Sequence, residues 1–260
     1  MSWHDTIKSS LSKKPPIRLT TMCRMLLALG TIELQPLLEG MKIIAQNKNR
    51  GHEFNTNSYP WTHSDGWGIA FRENDCWKIQ KSIQPIYEEN TNNLNTIKTN
   101  HCVLHIRKAL GSEIKNENTH PFLKDNIVFC HNGFIPEPIT FSKTFQPQGQ
   151  TDSEKLFYAI LTIIKEHKTT PEQAIKLVLN QYTPKTGTNI IFSTPEETII
   201  AVRATNYPQY YHMVIAETPT FIIISSEELP TYPDLPWQKI IPGQYVIINN
   251  NTRKYLLKNI

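Results

Sequence analysis

The order of apolar and polar positions divides the chain into a polar first segment and a long patterned body. Residues 1 to 21 show no period and contain Lys13-Lys14-Pro15-Pro16, the composition of a tail or linker. From Cys23 the run CRMLLALG is short and continuously apolar, which predicts a buried strand closed at Gly30. Leu37, Leu38, Met41, Ile44 and Ala45 then recur at helical spacing within residues 34–46, so an amphipathic helix follows. A polar loop over 47–64 leads into SDGWGIAF, where Gly66 and Gly68 mark a tight backbone before a strand, and residues 76–83 read as its hairpin partner.

Further along, 90–100 reads as a short helix, and residues 101–107 and 127–130 are apolar enough for strands separated by a polar excursion over 109–125. Two helices are expected over 152–167 and 171–181. The first carries Thr151 as N-cap with Glu154 three residues on, a capping box. Beyond Asn189 the pattern becomes the short β-rich runs NIIFS, TIIAVRA, YYHMVIA, TFIIIS and YVIIN, punctuated by prolines, which predict an antiparallel meander. Strands at both ends with helices between them give an α+β domain with a sheet-on-sheet core covered by helices.

Composition changes this picture little. With 39% hydrophobic and 19% charged residues, the chain has enough apolar material for one large core at 260 residues. The net charge of +4 is concentrated at the start, where Lys8, Lys13, Lys14 and Arg18 face Asp5 alone. The body is therefore too nearly neutral for a duplex-binding face, and no nucleic-acid partner is expected. No run reaches the roughly 18 apolar residues of a membrane helix and no signal-peptide core is present, so a cytoplasmic protein without a membrane partner is expected. Four cysteines (Cys23, Cys76, Cys102, Cys130) lack any CxxC pairing, which fits free thiols in a reducing compartment.

Candidate chemistry lies at four separated places: Cys23 after Met22, Arg107 at the end of an apolar strand, Asn132-Gly133 after the strand ending in Cys130, and Asp152 at a helix start. Each has a bland alternative. A lone cysteine can be a small core residue, an Asn-Gly pair a turn, and an aspartate in a first helical turn a dipole partner.

Together, the segments Met22-Cys23-Arg24, SDGWGIAF, HIRKALG, ENTHPF, FCHNGFI and TDSEKLF resemble class II glutamine amidotransferases, enzymes of the N-terminal-nucleophile type, and within them the stand-alone, single-domain members. The resemblance covers nearly the whole chain from Met22 onward. It implies a four-layer αββα sandwich, of the kind found in N-terminal-nucleophile hydrolases, with two mostly antiparallel sheets.

It also implies hydrolysis of the glutamine side-chain amide to glutamate and ammonia through a thioester on Cys23. The cysteine's own α-amino group serves as base, because an α-amine titrates near pH 8 whereas an internal amide nitrogen takes no proton. Cys23 must then be the first residue of the working chain. Residues 1–22 are accordingly expected to be a leader, either a propeptide or an upstream-start extension in which translation truly begins at Met22, and 23–260 the catalytic domain. By the same match Asn132 and Gly133 supply oxyanion donors, Arg107 pairs with the substrate α-carboxylate and Asp152 with its α-ammonium. His120 either closes one wall of the substrate pocket or is a loop histidine bonded to backbone.

Where synthetase-fused members typically carry a Trp and then a Thr-His that touch glutamine, this chain has Lys108-Ala109-Leu110, so the rim contacts differ. The expected partner is L-glutamine or another γ-glutamyl amide, and both hydrolysis alone and ammonia delivery to a separate synthase stay open; no cofactor and no metal are needed, and the oligomeric state is left open. Two readings stand beside this one. A non-catalytic member would bind amino acids only. A zinc-stabilised protein would draw on His101, Cys102, His105, Cys130 and His131, but adjacent His-Cys pairs point to opposite strand faces and no ligand spacing is present.

Overall fold

The computed structural model describes residues 23–49, 61–109 and 111–260; the expected leader, residues 1–22, lies outside them. In chain order the elements are β1 (Arg24–Glu33), α1 (Leu34–Ala45), β2 (Trp67–Glu73), β3 (Cys76–Ser82), α2 (Asn92–Asn95), β4 (Lys98–Ile106), β5 (Phe122–Lys124) and β6 (Ile127–Gly133). Then come α3 (Asp152–His167), α4 (Pro171–Gln181), β7 (Thr188–Ser193), β8 (Glu197–Val202), α5 (Pro208–Tyr211), β9 (Met213–Glu217), β10 (Phe221–Ser225), β11 (Gln238–Ile240), β12 (Gln244–Asn249) and β13 (Tyr255–Asn259).

The strands form two sheets, ordered β11-β9-β10-β1-β4-β2-β3 and β13-β12-β8-β7-β6-β5. Every recorded pairing is antiparallel.

The two-residue period of the strands sorts their side chains into layers. Met25, Leu27 and Leu29 of β1 and Val103 of β4 meet Val128 and Cys130 of β6, Ile191 of β7 and Ile200 of β8 between the sheets. The alternate residues Leu26, Ala28 and Leu104 face outward onto Leu37, Leu38 and Met41 of α1. On the other side Phe129, Ile190, Phe192 and Ile199 face Leu156, Phe157 and Ile160 of α3 and Ile175 and Val178 of α4. Helix, sheet, sheet and helix therefore stack in four layers, with each fully buried aliphatic chain contributing about 1.5–3 kcal/mol. The α3 cap forms as expected, Glu154 N donating to Thr151 Oγ1 at 3.2 Å.

Three expectations need correction. The helix over 90–100 is only the turn α2, because β4 already begins at Lys98, where Thr99 pairs with Ile32 of β1; Asn and Thr are weak helix formers, so the strand pairing prevails. Tyr210 and Tyr211 do not start a strand. Pro208 opens the turn of α5 and both rings are buried. The run of strands after 189 is not one meander, since β7, β8, β12 and β13 belong to one sheet while β9, β10 and β11 cross to the other. Buried on both faces, β7 to β10 carry no signal of which sheet they join.

Candidate active site

The start of β1, the end of β4 and the end of β6 meet at one end of the sandwich. Arg24 pairs with Ile106, which sets Cys23 beside Arg107. Cys23 is buried, and its nitrogen, here within the unbroken chain, donates to Asn132 Oδ1 at 2.7 Å. Its sulfur lies 3.9 Å from the carbonyl oxygen of Lys108. Burial pushes the thiol up to about 11, against the opposing pull of that carbonyl contact and of the Arg107 charge. Such a thiol stays protonated at neutral pH, so a nucleophile made from it requires a base within reach.

Asn132 is fully buried, and while its Oδ1 accepts from Cys23, its Nδ2 has no hydrogen-bond partner among the described residues. Gly133 follows it at the strand end, packed so closely on β7 that a Cβ would collide with the carbonyl oxygen of Gly187. The next turn of chain brings Ile135 N to Asp152 Oδ2 at 2.9 Å, fixing the first residue of α3 against the end of β6. His131 Nδ1 and Ser153 Oγ, 2.9 Å apart, add a second tie between the same two elements.

Arg107 is buried, its Nη2 donating to Ser112 Oγ at 2.8 Å and to the carbonyl of Glu113 at 3.0 Å. Gly66 makes this placement possible. With φ of +115° it turns the chain so that its carbonyl accepts from Arg107 N at 2.8 Å. Asp65 beside it accepts from Ala109 N at 2.7 Å, holding the segment after Arg107.

The structure thus gathers Cys23, Arg107, Asn132, Gly133 and Asp152, with Arg107, Asp65 and Asp152 all close enough to act electrostatically on the Cys23 thiol. His120 lies within electrostatic reach of Arg107. It is buried with neither ring nitrogen partnered among the described residues, stacked 4.1 Å from the His105 ring and 4.5 Å from Phe122. His105 in turn places Nε2 3.3 Å from the carbonyl oxygen of His131.

Burial holds His101 and His105 down to about 3 and keeps His120 and His131 below the usual range as well. Depressed values mean that the unfolded chain binds more protons below pH ~6.5, so stability is complete above that pH and declines as pH falls towards 3. Each ring held to about 3 removes up to ~1.4 kcal/mol per pH unit across that window. Urea midpoints are expected to drop between pH 7 and pH 5; an unchanged midpoint would show that these rings are not buried neutral.

Sequence reading missed a second set of residues behind Cys23. Tyr210 OH donates to the Cys23 carbonyl at 3.2 Å, and burial keeps its phenol well above the usual range, so it remains a donor. The Arg24 guanidinium lies 3.8 Å from the Tyr210 ring centroid and pairs with Glu227 at 2.8 Å, both side chains buried. A buried pair of this kind fixes geometry more than it adds stability. The one available signal was a charged Arg24 inside an apolar run.

Stacked antiparallel sheets between helices define a class of sandwich shared with solved proteins. The structure titled a glutamine aminotransferase class-II domain protein from Silicibacter pomeroyi superposes with a TM-score of 0.62 at 17% identity, covering 92% of this chain and 99% of that one. Residues 54–198 match the family model described as glutamine amidotransferases class-II, and the chain belongs to that family. A Haemophilus influenzae protein with the provisional name glutamine amidotransferase is 37% identical over 117 residues, 40% of this chain and 38% of that protein. An Escherichia coli protein named in the same way is 37% identical over 107 residues, 38% of this chain and 42% of that protein. The matches thus span about two fifths of these relatives. Among the described residues, no helix is long and apolar enough to cross a membrane.

Proposed function

We propose that the protein hydrolyses the side-chain amide of free L-glutamine through a thioester on Cys23, in a working chain that begins at Cys23. The observation that carries this reading is the buried, unpartnered Nδ2 of Asn132 beside the nucleophile. Native structures rarely leave such a donor idle, and an oxyanion forming on the attacked amide carbon would fill it.

In the reaction, the freed α-nitrogen of Cys23 takes the thiol proton as sulfur bonds to the amide carbon. The tetrahedral oxyanion rests on Asn132 Nδ2 and the Gly133 N–H. The C–N bond breaks and ammonia leaves with the transferred proton, after which water hydrolyses the thioester to glutamate and restores the thiol. Arg107 and Asp152 hold the α-carboxylate and α-ammonium, so a peptide-bound glutamine, which lacks both charges, is excluded by the cost of leaving them unpaired. The steps draw on no cofactor, and the ammonia is released either to solvent or to a separate synthase.

A chain starting at Cys23 is expected to release glutamate from free glutamine, to leave glutamine within a peptide untouched, and to gain one adduct on Cys23 with an electrophilic glutamine analogue. Turnover of other γ-glutamyl amides in preference to glutamine would reassign the substrate. Neither turnover nor adduct would identify a binding protein.

A further inference from the structure

Away from Cys23 the sandwich is open along one side, where the edge strands β3 and β5 face each other beneath α3. Between them lies a cavity of about 560 Å³, within the range of small-molecule sites. Its walls include the rings of Phe122, Phe157 and Tyr158, held in place by stacking of Phe157 on Phe129 and of Tyr158 on Phe145. Lys81 enters from β3, its stem running beside Gly68 and its Nζ lying 5.3 Å from the Phe122 ring centroid.

Among the described residues that ammonium makes no hydrogen bond or ion pair. The carboxylate nearest in function, Glu154, is occupied: it accepts from Gln148 N at 2.9 Å and Gly149 N at 2.7 Å. Burial lowers the Lys81 amine to about 8. The titratable groups that face it are Glu117, Glu154, the Cys130 thiol and the rings of His105 and His120, and Lys124 of β5 and Tyr158 of α3 line the same cavity. A cation that protein ligands leave unpaired, at a cavity with aromatic walls, matches an anion carried on a flat apolar body.

We infer that this cavity is a second ligand site, distinct from the glutamine site, which takes a small aromatic carboxylate with its carboxylate on Lys81 Nζ and its ring against Phe122 and Phe157. Pairing would neutralise a half-buried cation that holds no ion pair among the described residues, and the edges of the buried rings offer apolar contact.

The test is titration of the intact chain with benzoate and, separately, with uncharged benzamide, followed by heteronuclear NMR. Benzoate is expected to shift resonances of Lys81, Phe122 and Phe157 and to bind at least tenfold more tightly than benzamide. Its affinity should fall about tenfold per pH unit once pH exceeds 8, as the amine loses its proton. Lys81→Gln should remove the preference for benzoate. Equal affinity for the two probes on the unaltered chain, or shifts confined to residues outside the cavity, would overturn the assignment. That comparison needs no variant to fold and no glutaminase activity, so it fails or succeeds independently of the proposed function.

Discussion

A chain whose first residue is Cys23 is expected to hydrolyse glutamine at least about 100-fold faster than one in which the Cys23 nitrogen remains an amide. The thiol is pushed up to about 11 by burial, so at neutral pH almost none of it is thiolate and a proton acceptor must act during attack. The sulfur lies 3.9 Å from the Lys108 carbonyl, which can accept a hydrogen bond but cannot hold the proton. A freed α-amine titrates near 8 and can. General-base catalysis of this kind is worth about 10²–10⁴-fold. The measurement is glutamate release by two preparations differing only at the N-terminus, each verified by intact mass. Full activity from a chain still beginning at Met1 would exclude the N-terminal base.

Replacing Asn132 with aspartate is the second large change, with kcat expected to fall by about 10²–10³ while KM moves little. An oxygen acceptor towards the Cys23 nitrogen is retained, so the 2.7 Å hydrogen bond that seats the nucleophile survives. What disappears is the Nδ2 donor, which has no ground-state partner to lose among the described residues. An interaction made only as the oxyanion develops appears in kcat and in kcat/KM together, whereas a lost ground-state contact appears in KM. Asn132→Ala, which also removes the acceptor, should fall further and may be compared directly. A rise in KM at constant kcat would mean that Asn132 binds substrate instead of stabilising the oxyanion.

Two of the helices were readable almost to the residue, though not the short turns α2 and α5. Asp152–His167 and Pro171–Gln181 have the bounds that their caps and apolar stripes predict, because Thr151 and Thr170 each accept a hydrogen bond from the third residue of the helix they open. Most strands were found as well, together with pairings between chain neighbours such as the β2–β3 hairpin, but not the pairings between distant segments. β5, β11 and β13 are short or edge strands whose pattern is too brief to separate from loop. The swap of β9 and β10 into the opposite sheet left no trace, since an apolar run buried on both faces reads the same in either.

The candidate site divides in the same way. Cys23, Arg107, Asn132, Gly133 and Asp152 stand out because each is a chemically specific residue at the end or start of an element, and those ends carry recognisable local sequence. Asp65, Tyr210 and Glu227 do not. Tyr210 lies 187 residues from the Cys23 carbonyl it holds, and Glu227 pairs with Arg24 across most of the chain. By itself the sequence determined the longer helices and most of the strands, and which side chains have reactive chemistry, since both follow from local spacing and residue type. Tertiary structure alone decided which sheet each strand joins, that His120 packs among other rings, and that a lysine on β3 is left without a counterion. Those outcomes depend on contacts between distant residues, and local pattern holds no information about them.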